Sequence, residues 1–145
     1  MKPRMHNSAG ALFWLTILTV GCAARPAPPF VLTEVETDKT YGYTENNPIK
    51  IGGVAEGEKA RHREAFLNAL RGPQGQPISF VSHGSCCMFD VGTGGKVKGN
   101  LEVLLVTYPK IPKPVILYLD AYHFETPKAP QGFTFASPSS GTSQP

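Results

Sequence analysis

The apolar positions of this chain fall into short runs with two different spacings, and each spacing implies an element. Val115, Leu117, Leu119, Ala121 and His123 alternate with Ile116, Tyr118, Asp120, Tyr122 and Phe124. A period of two places the first set on one face of a strand and the second on the other, so the first reads as core and the second as an aromatic face carrying one acid. Residues 115–124 and 101–108 are predicted as the two strongest strands. Pro109, Pro112 and Pro114 lie between them. Proline has no N–H to give to a central ladder, so this stretch is predicted to be the connecting loop of a hairpin. Weaker strands are expected at 30–37, 49–51 and 78–83.

Residues 56–71 follow the other period. Ala60, Phe66, Leu67 and Leu70 share one stripe at helical spacing. Glu56 and Glu58 stand at the end of the expected helix where the macrodipole favours negative charge, and Arg71 stands at the opposite end. Gly72 and Pro73 are expected to cap and stop it. Together these elements predict an α+β fold, an antiparallel sheet packed against a single helix in two layers.

Residues 11–20 are uncharged throughout, yet too few to cross a bilayer, which takes about 20 apolar residues. Lys2 and Arg4 precede the run, and a proline-rich stretch, 23–29, follows it. This is the layout of a secretory signal peptide over 1–21. Leu18-Thr19-Val20-Gly21-Cys22 resembles the lipobox of bacterial lipoproteins, in which small residues precede a cysteine whose thiol takes a diacylglyceryl group. The resemblance implies cleavage before Cys22, a lipid on Cys22, and anchorage to a membrane of the cell envelope. Thr19 stands where that family usually has leucine, and ordinary cleavage near Ala23-Ala24 is the alternative. Ala23 is not the aspartate of inner-membrane retention, which implies the outer membrane of a Gram-negative host, facing the periplasm or the surface. Residues 22–29 then read as the lipidated N-terminus and its tether.

Composition bounds the rest. Residues 126–145 are rich in Pro, Ser, Thr and Gly and are expected to be a disordered tail, leaving 30–125 as the α+β domain. The formal charge of +3 shrinks once the signal is removed: without Lys2 and Arg4, 12 of the 14 basic residues face 11 acidic ones. Lys59, Arg61 and Arg63 interleave with Glu56, Glu58 and Glu64, as on a solvated helix face, and His62 among them is expected to be exposed. No basic run suggests a nucleic acid partner.

The segment with unusual chemistry is Ser82-His83-Gly84-Ser85-Cys86-Cys87-Met88-Phe89-Asp90. With Cys22 committed to lipid, Cys86 and Cys87 are an isolated adjacent pair in an oxidising compartment. The pair admits four states: a vicinal disulfide, two structural thiols, a bridge to another chain, or a metal site. Neighbouring Cα atoms lie about 3.8 Å apart, short of the usual disulfide range, so a bond between them is comparatively reducible. His83, Cys86, Cys87 and Met88 offer an imidazole, two thiols and a thioether, and soft sulfur ligands select Cu(I) or Zn. In an extended strand the two cysteines would point to opposite faces, so one ion could take both only at a turn, which Gly84 permits. Zinc sites ordinarily space their cysteines by roughly two to four residues. No cofactor other than such a metal is expected.

Other motifs fail. Gly92-Thr93-Gly94-Gly95-Lys96 lacks the phosphate-loop spacing and its following hydroxyl. A hydrolase using His83 with Asp120 as orienting acid would need the fold to bring them together. No catalytic set is assigned.

Several blocks resemble a group of small exported bacterial lipoproteins: Tyr41-Gly42-Tyr43-Thr44, Asn47-Pro48-Ile49-Lys50, Phe66-Leu67-Asn68-Ala69-Leu70, Gly84-Ser85-Cys86-Cys87 and Pro114-Val115-Ile116-Leu117-Tyr118. The paired cysteines are its most specific mark. Where that group often has Pro after them, this chain has Met88. Some members carry the name 2-dehydro-3-deoxyphosphooctonate aldolase, but such an enzyme is a (β/α)8 barrel of about 250 residues, which a span of 30–125 cannot build. The leading expectation is a non-enzymatic envelope lipoprotein acting as a binding or assembly module with an envelope protein partner. A metal or redox role at the cysteine pair comes second, and a small hydrolase third.

Overall fold

The loop with three prolines joins two paired strands, as its composition requires. The computed structural model describes residues 30–136, so the signal peptide at 1–21, the lipidation at Cys22, the tether and residues 137–145 lie outside the described residues. In chain order the elements are β1 (Ile49–Lys50), a 3-10 turn at Glu56–Glu58, α1 (Lys59–Ala69), β2 (Leu70–Arg71), β3 (Ser79–Asp90), β4 (Lys98–Thr107), β5 (Val115–Asp120) and β6 (Thr134–Phe135). The fold is α+β and mostly sheet: four strands in the order β1-β5-β4-β3 and a separate pair, β2-β6.

β4 and β5 run antiparallel from Glu102↔Leu119 to Val106↔Val115 without a break. Their connection begins with a tight turn in which Ile111 N–H donates to Tyr108 O at 3.1 Å. Pro109 pre-sets the first central position, and Lys110 takes the positive φ (72°) that a type II turn demands at the second. Alternation along the ladder is clean. Leu104, Val106, Leu117 and Leu119 are fully buried, while Val103, Leu105, Ile116 and Tyr118 on the other face stay half-buried or exposed.

Several expectations are corrected. The sheet is mixed rather than antiparallel, because β1 pairs parallel with β5 through Ile49↔Leu119 and Lys50↔Asp120. Parallel neighbours need a long crossover, and residues 51–114 supply one. The strand predicted at 115–124 ends at Asp120. Its carboxylate accepts the N–H groups of Tyr122 and His123 at 2.8 and 3.1 Å, which bends the chain and takes Ala121 and His123 off the core face. The strand predicted at 30–37 reduces to a single parallel bridge, Val35↔Ala129. The helix predicted to reach Arg71 stops at Ala69, and Leu70 is already extended (φ −71°, ψ 150°). Leu70 and Arg71 pair with Phe135 and Thr134 instead, so a tertiary ladder overrides the helical pattern. Gly72 caps nothing; its N–H donates to Gln76 O in the following turn. Ala60 is exposed rather than part of the buried stripe.

The fold also passes the boundary expected at 125. Ala129 and Phe133 are buried, and Thr134–Phe135 form β6. Phe66, Leu67 and Leu70 belong to one core cluster with Leu32, Ile49, Leu104, Val106, Leu117, Leu119 and Phe133. Arg63 of α1 reaches Glu102 of β4 at 2.7 Å.

Candidate functional site at the paired cysteines

β3 is the edge of the four-stranded sheet, with β4 on one side only. It is 12 residues long and exposed or half-buried along its whole length. Its register against β4 slips twice, between Ser82 and Ser85 and between Cys86 and Phe89. Each slip coincides with a positive φ, 105° at Gly84 and 60° at Cys87. Glycine takes that conformation freely. A cysteine there costs about 1–2 kcal/mol, because its Cβ crowds the following carbonyl. Bulges of this kind re-aim side chains. Here the bulge at Cys87 undoes the alternation that would send adjacent cysteines to opposite faces, and the two Sγ atoms lie 2.12 Å apart with Cα atoms 3.7 Å apart.

A carboxylate from a distant part of the chain faces the sulfurs. Cys87 Sγ is 2.9 Å from Glu45 Oε2, across 42 residues of sequence. Among the described residues, the ligand atoms of Glu45, Cys86 and Cys87 all lie within 4.8 Å of one another. The loop that carries Glu45 is pinned on both sides of it. Asp38 accepts from Thr40 N–H and Oγ–H, both at 2.8 Å, and from Asn47 Nδ2 at 3.0 Å. Gly42 N–H donates to Asn47 O at 2.7 Å, and Tyr118 N–H of β5 donates to Gly42 O at 2.8 Å. Glu45 is thus held at the sheet by the hydrogen bonds of its neighbours.

Beside the pair is an open cleft of about 280 Å³ lined by Glu45, Pro48, Cys87, Met88, Phe89 and Leu101, with Asp120 at its side. Met88 is 70 % exposed and Asp120 only 3 %. Asp120 Oδ2 accepts from His123 Nδ1 at 2.7 Å. Phe89 packs edge-on to the Tyr122 ring at 5.7 Å and at a tilt to the His123 ring at 5.6 Å.

The sequence-predicted residues divide accordingly. Cys86 and Cys87 meet and Met88 lines the same cleft, whereas His83 is an exposed residue of β3 outside the group of facing ligand atoms. Glu45, not singled out from sequence, takes the place expected for His83. Asp120 pairs with His123 rather than His83, and its other oxygen is occupied by backbone N–H groups. That is the arrangement of a turn-closing carboxylate, so the pairing needed by the hydrolase reading does not form. His62 is part-buried, its Nδ1 2.6 Å from Ile51 O and its ring 4.4 Å from that of Phe30.

A second hollow, of about 320 Å³, lies among Glu36, Asp38, Tyr41, Glu125 and Lys128. Its charges are satisfied internally. Lys128 Nζ bridges Glu34 and Glu36 at 3.2 and 3.1 Å. That ammonium, helped by the N–H groups of Thr37 and Asp38, holds the Glu36 carboxyl down at about 2. Hydrogen bonds from the Thr40 N–H and hydroxyl lower Asp38, and burial raises Tyr41. Comparison of the chain with protein-family models, with curated proteins and with solved structures yields no match.

Proposed function

We propose that the protein is exported, anchored through a lipid on Cys22, and serves in the cell envelope as a binding or assembly module for another envelope protein. One observation carries the binding part of this reading. The outer edge of β3 has no partner strand among the described residues, and its regular stretch Ser79-Phe80-Val81-Ser82 has neither charge nor proline to block pairing. A free row of N–H and C=O groups of this kind is a template for an extended segment of another chain. Val81, 60 % exposed, continues inward through the cross-strand neighbours Leu105 and Ile116, so an incoming strand would find an apolar row beside the edge.

The finer architecture belongs to the same proposal: α1 covers one face of the sheet as a second layer, leaving the Val81–Leu105–Ile116 face open. The shared core of Phe66 and Leu67 with Leu104 and Leu117 supports it, as does the Arg63–Glu102 ion pair. No helix among the described residues is long and apolar enough to cross a membrane. The support for attachment through a lipid is the likeness of Leu18-Thr19-Val20-Gly21-Cys22 to a lipobox.

Two measurements test the reading. A photo-crosslinking residue at Val81 in the full-length chain, in intact envelopes, should give one discrete adduct that the same residue at Asn68 on α1 does not. Equal labelling at both positions, or none at Val81, would remove the support for edge docking. The intact mass of membrane-purified protein should carry a lipid increment on an N-terminal Cys22. An unmodified N-terminus near Ala23 or Ala24 would overturn the anchor.

A further inference from the structure

We propose that Cys86, Cys87 and Glu45, with the Met88 thioether at the rim, form a binding site for a zinc-class divalent cation that exists only while the cysteine pair is reduced. The site is separate from the β3 edge at Ser79–Ser82 and does not depend on docking there.

Two structural features lead to it. A flat strand would split the sulfurs between two faces; the positive φ of Cys87 (60°) and the register slip after Cys86 bring them to one side. Glycine would fit that bulge more easily, so a backbone cost is carried at the position whose side chain supplies the sulfur. Strained non-glycine residues of this kind cluster at functional sites. Independently, a carboxylate is delivered to the sulfurs from a pinned loop, with Glu45 Oε2 2.9 Å from Cys87 Sγ. While the two sulfurs are joined Cys87 carries no proton; once the pair is reduced, its new thiol stands beside that oxygen as a donor. A sulfur–proton–carboxylate contact is one that a cation takes over by replacing the proton.

The donor set indicates the cation class. Two thiolates select thiophilic ions, and a carboxylate oxygen as third donor suits Zn²⁺, which accepts Cys, His and Asp or Glu, better than Cu(I). Two Zn–S bonds of about 2.3 Å at a tetrahedral angle hold the sulfurs roughly 3.8 Å apart. The Cα atoms of the pair are themselves 3.7 Å apart, so side chains extending abreast present that spacing. Met88, exposed in the same cleft, or a water completes four-coordination.

Redox state gates the site. When Cys86 and Cys87 are joined, neither sulfur is a thiolate. A dithiol reductant opens the pair by exchange: its first thiolate attacks one sulfur and releases the other, and its second thiol displaces the mixed disulfide. The reductant leaves as a disulfide, and the pair gains two electrons and two protons. Binding of Zn²⁺ then forms two Zn–S bonds and releases those two protons.

The experiment uses the full-length chain and Zn²⁺ alone, before and after treatment with a dithiol that is then removed without air. Native mass spectrometry and competition against a chromogenic chelator report stoichiometry and affinity. The reduced protein is expected to bind one Zn²⁺ with release of two protons, and the oxidised protein none. Cys87→Ser should abolish uptake. Glu45→Gln, a change at an exposed residue, should weaken it by at least about 10-fold, the smaller loss typical even of partners outside the ligand shell, with an unchanged circular dichroism spectrum, and His83→Ala should leave it unchanged. Equal uptake by oxidised and reduced protein would overturn the proposal. So would wild-type affinity in Glu45→Gln, or a reduced chain that takes up no Zn²⁺.

Discussion

β4 carries a ladder on each side, and the two ladders are built on opposite terms. Against β5 it keeps five consecutive rungs, and Leu104, Val106, Leu117 and Leu119 alternate into the core. Against β3 it slips register twice within 12 residues, and almost nothing on β3 is buried. A one-residue slip in the first ladder would turn every leucine to the wrong face, so burial pins it. A slip in the second displaces no fully buried side chain, and Phe80, half-buried against the core, lies in the regular stretch before the first slip. Bulges are therefore tolerated at the edge, and it is at the edge that two adjacent sulfurs can be turned to one side. Stability and chemistry share a strand and are segregated across it.

The largest test of that contrast is a pair of truncations. Leu117→Ala should destabilise the protein by about 2–5 kcal/mol, the usual cost of a buried leucine. Val81→Ala, on the exposed edge, should change stability by no more than about 0.5 kcal/mol. Urea unfolding of both, with similar losses, would break the comparison.

Next comes the end of β5, where Asp120 ties three donors while buried. Asp120→Ala leaves the Tyr122 and His123 N–H groups without their acceptor and should cost about 1–3 kcal/mol. Asp120→Asn retains an accepting oxygen and should recover most of that loss in thermal unfolding.

A smaller effect of opposite sign is expected on β3. Under reducing conditions Cys87→Gly should stabilise the protein by about 1 kcal/mol, because the position has φ near 60° and glycine relieves it. Lys110→Gly, at φ 72° in the β4–β5 turn, should behave alike and serves as a control free of sulfur chemistry. A loss of stability in Cys87→Gly alone would mean that the sulfur braces the edge.

The smallest effect concerns pH. Glu36, beside Lys128, is held at about 2, from an ordinary value of 4.5. Its contribution to stability is present above the ordinary carboxylate range and is lost as pH falls from there towards 2. Lys128→Met should flatten that acid limb, and added salt should weaken it, because the group is solvent-exposed. An unchanged acid limb in the variant would place the sensitivity in other carboxylates.

Much of the pinned half was legible in the residues. Val115, Leu117 and Leu119 show their face through simple alternation, and the prolines of 109–114 announce the loop. Phe66 and Leu67 reveal the buried side of α1. The miscast elements are those whose fate rests on a distant partner. Leu70 and Arg71 continue a good helical pattern, yet β6 claims them. Phe133 sits in a stretch whose composition reads as a tail, yet the core has room for it. Val31 to Glu36 alternate like a strand but obtain one bridge, to Ala129.

The candidate site was half legible for the same reason. Adjacent cysteines mark themselves, and so does the glycine before them. The sign of φ at Cys87 and the arrival of Glu45 do not, because they depend on how β3 slips along β4 and on a loop closed by Asp38 and Asn47 and anchored to β5 through Gly42. The sequence by itself determined the period of the strongest elements and the adjacency of Cys86 and Cys87, since these follow from side chains read in order. Tertiary structure alone decided which strand is left at the edge, which side the sulfurs share and which acid meets them. Those are contacts between segments tens of residues apart, and local spacing carries no record of them.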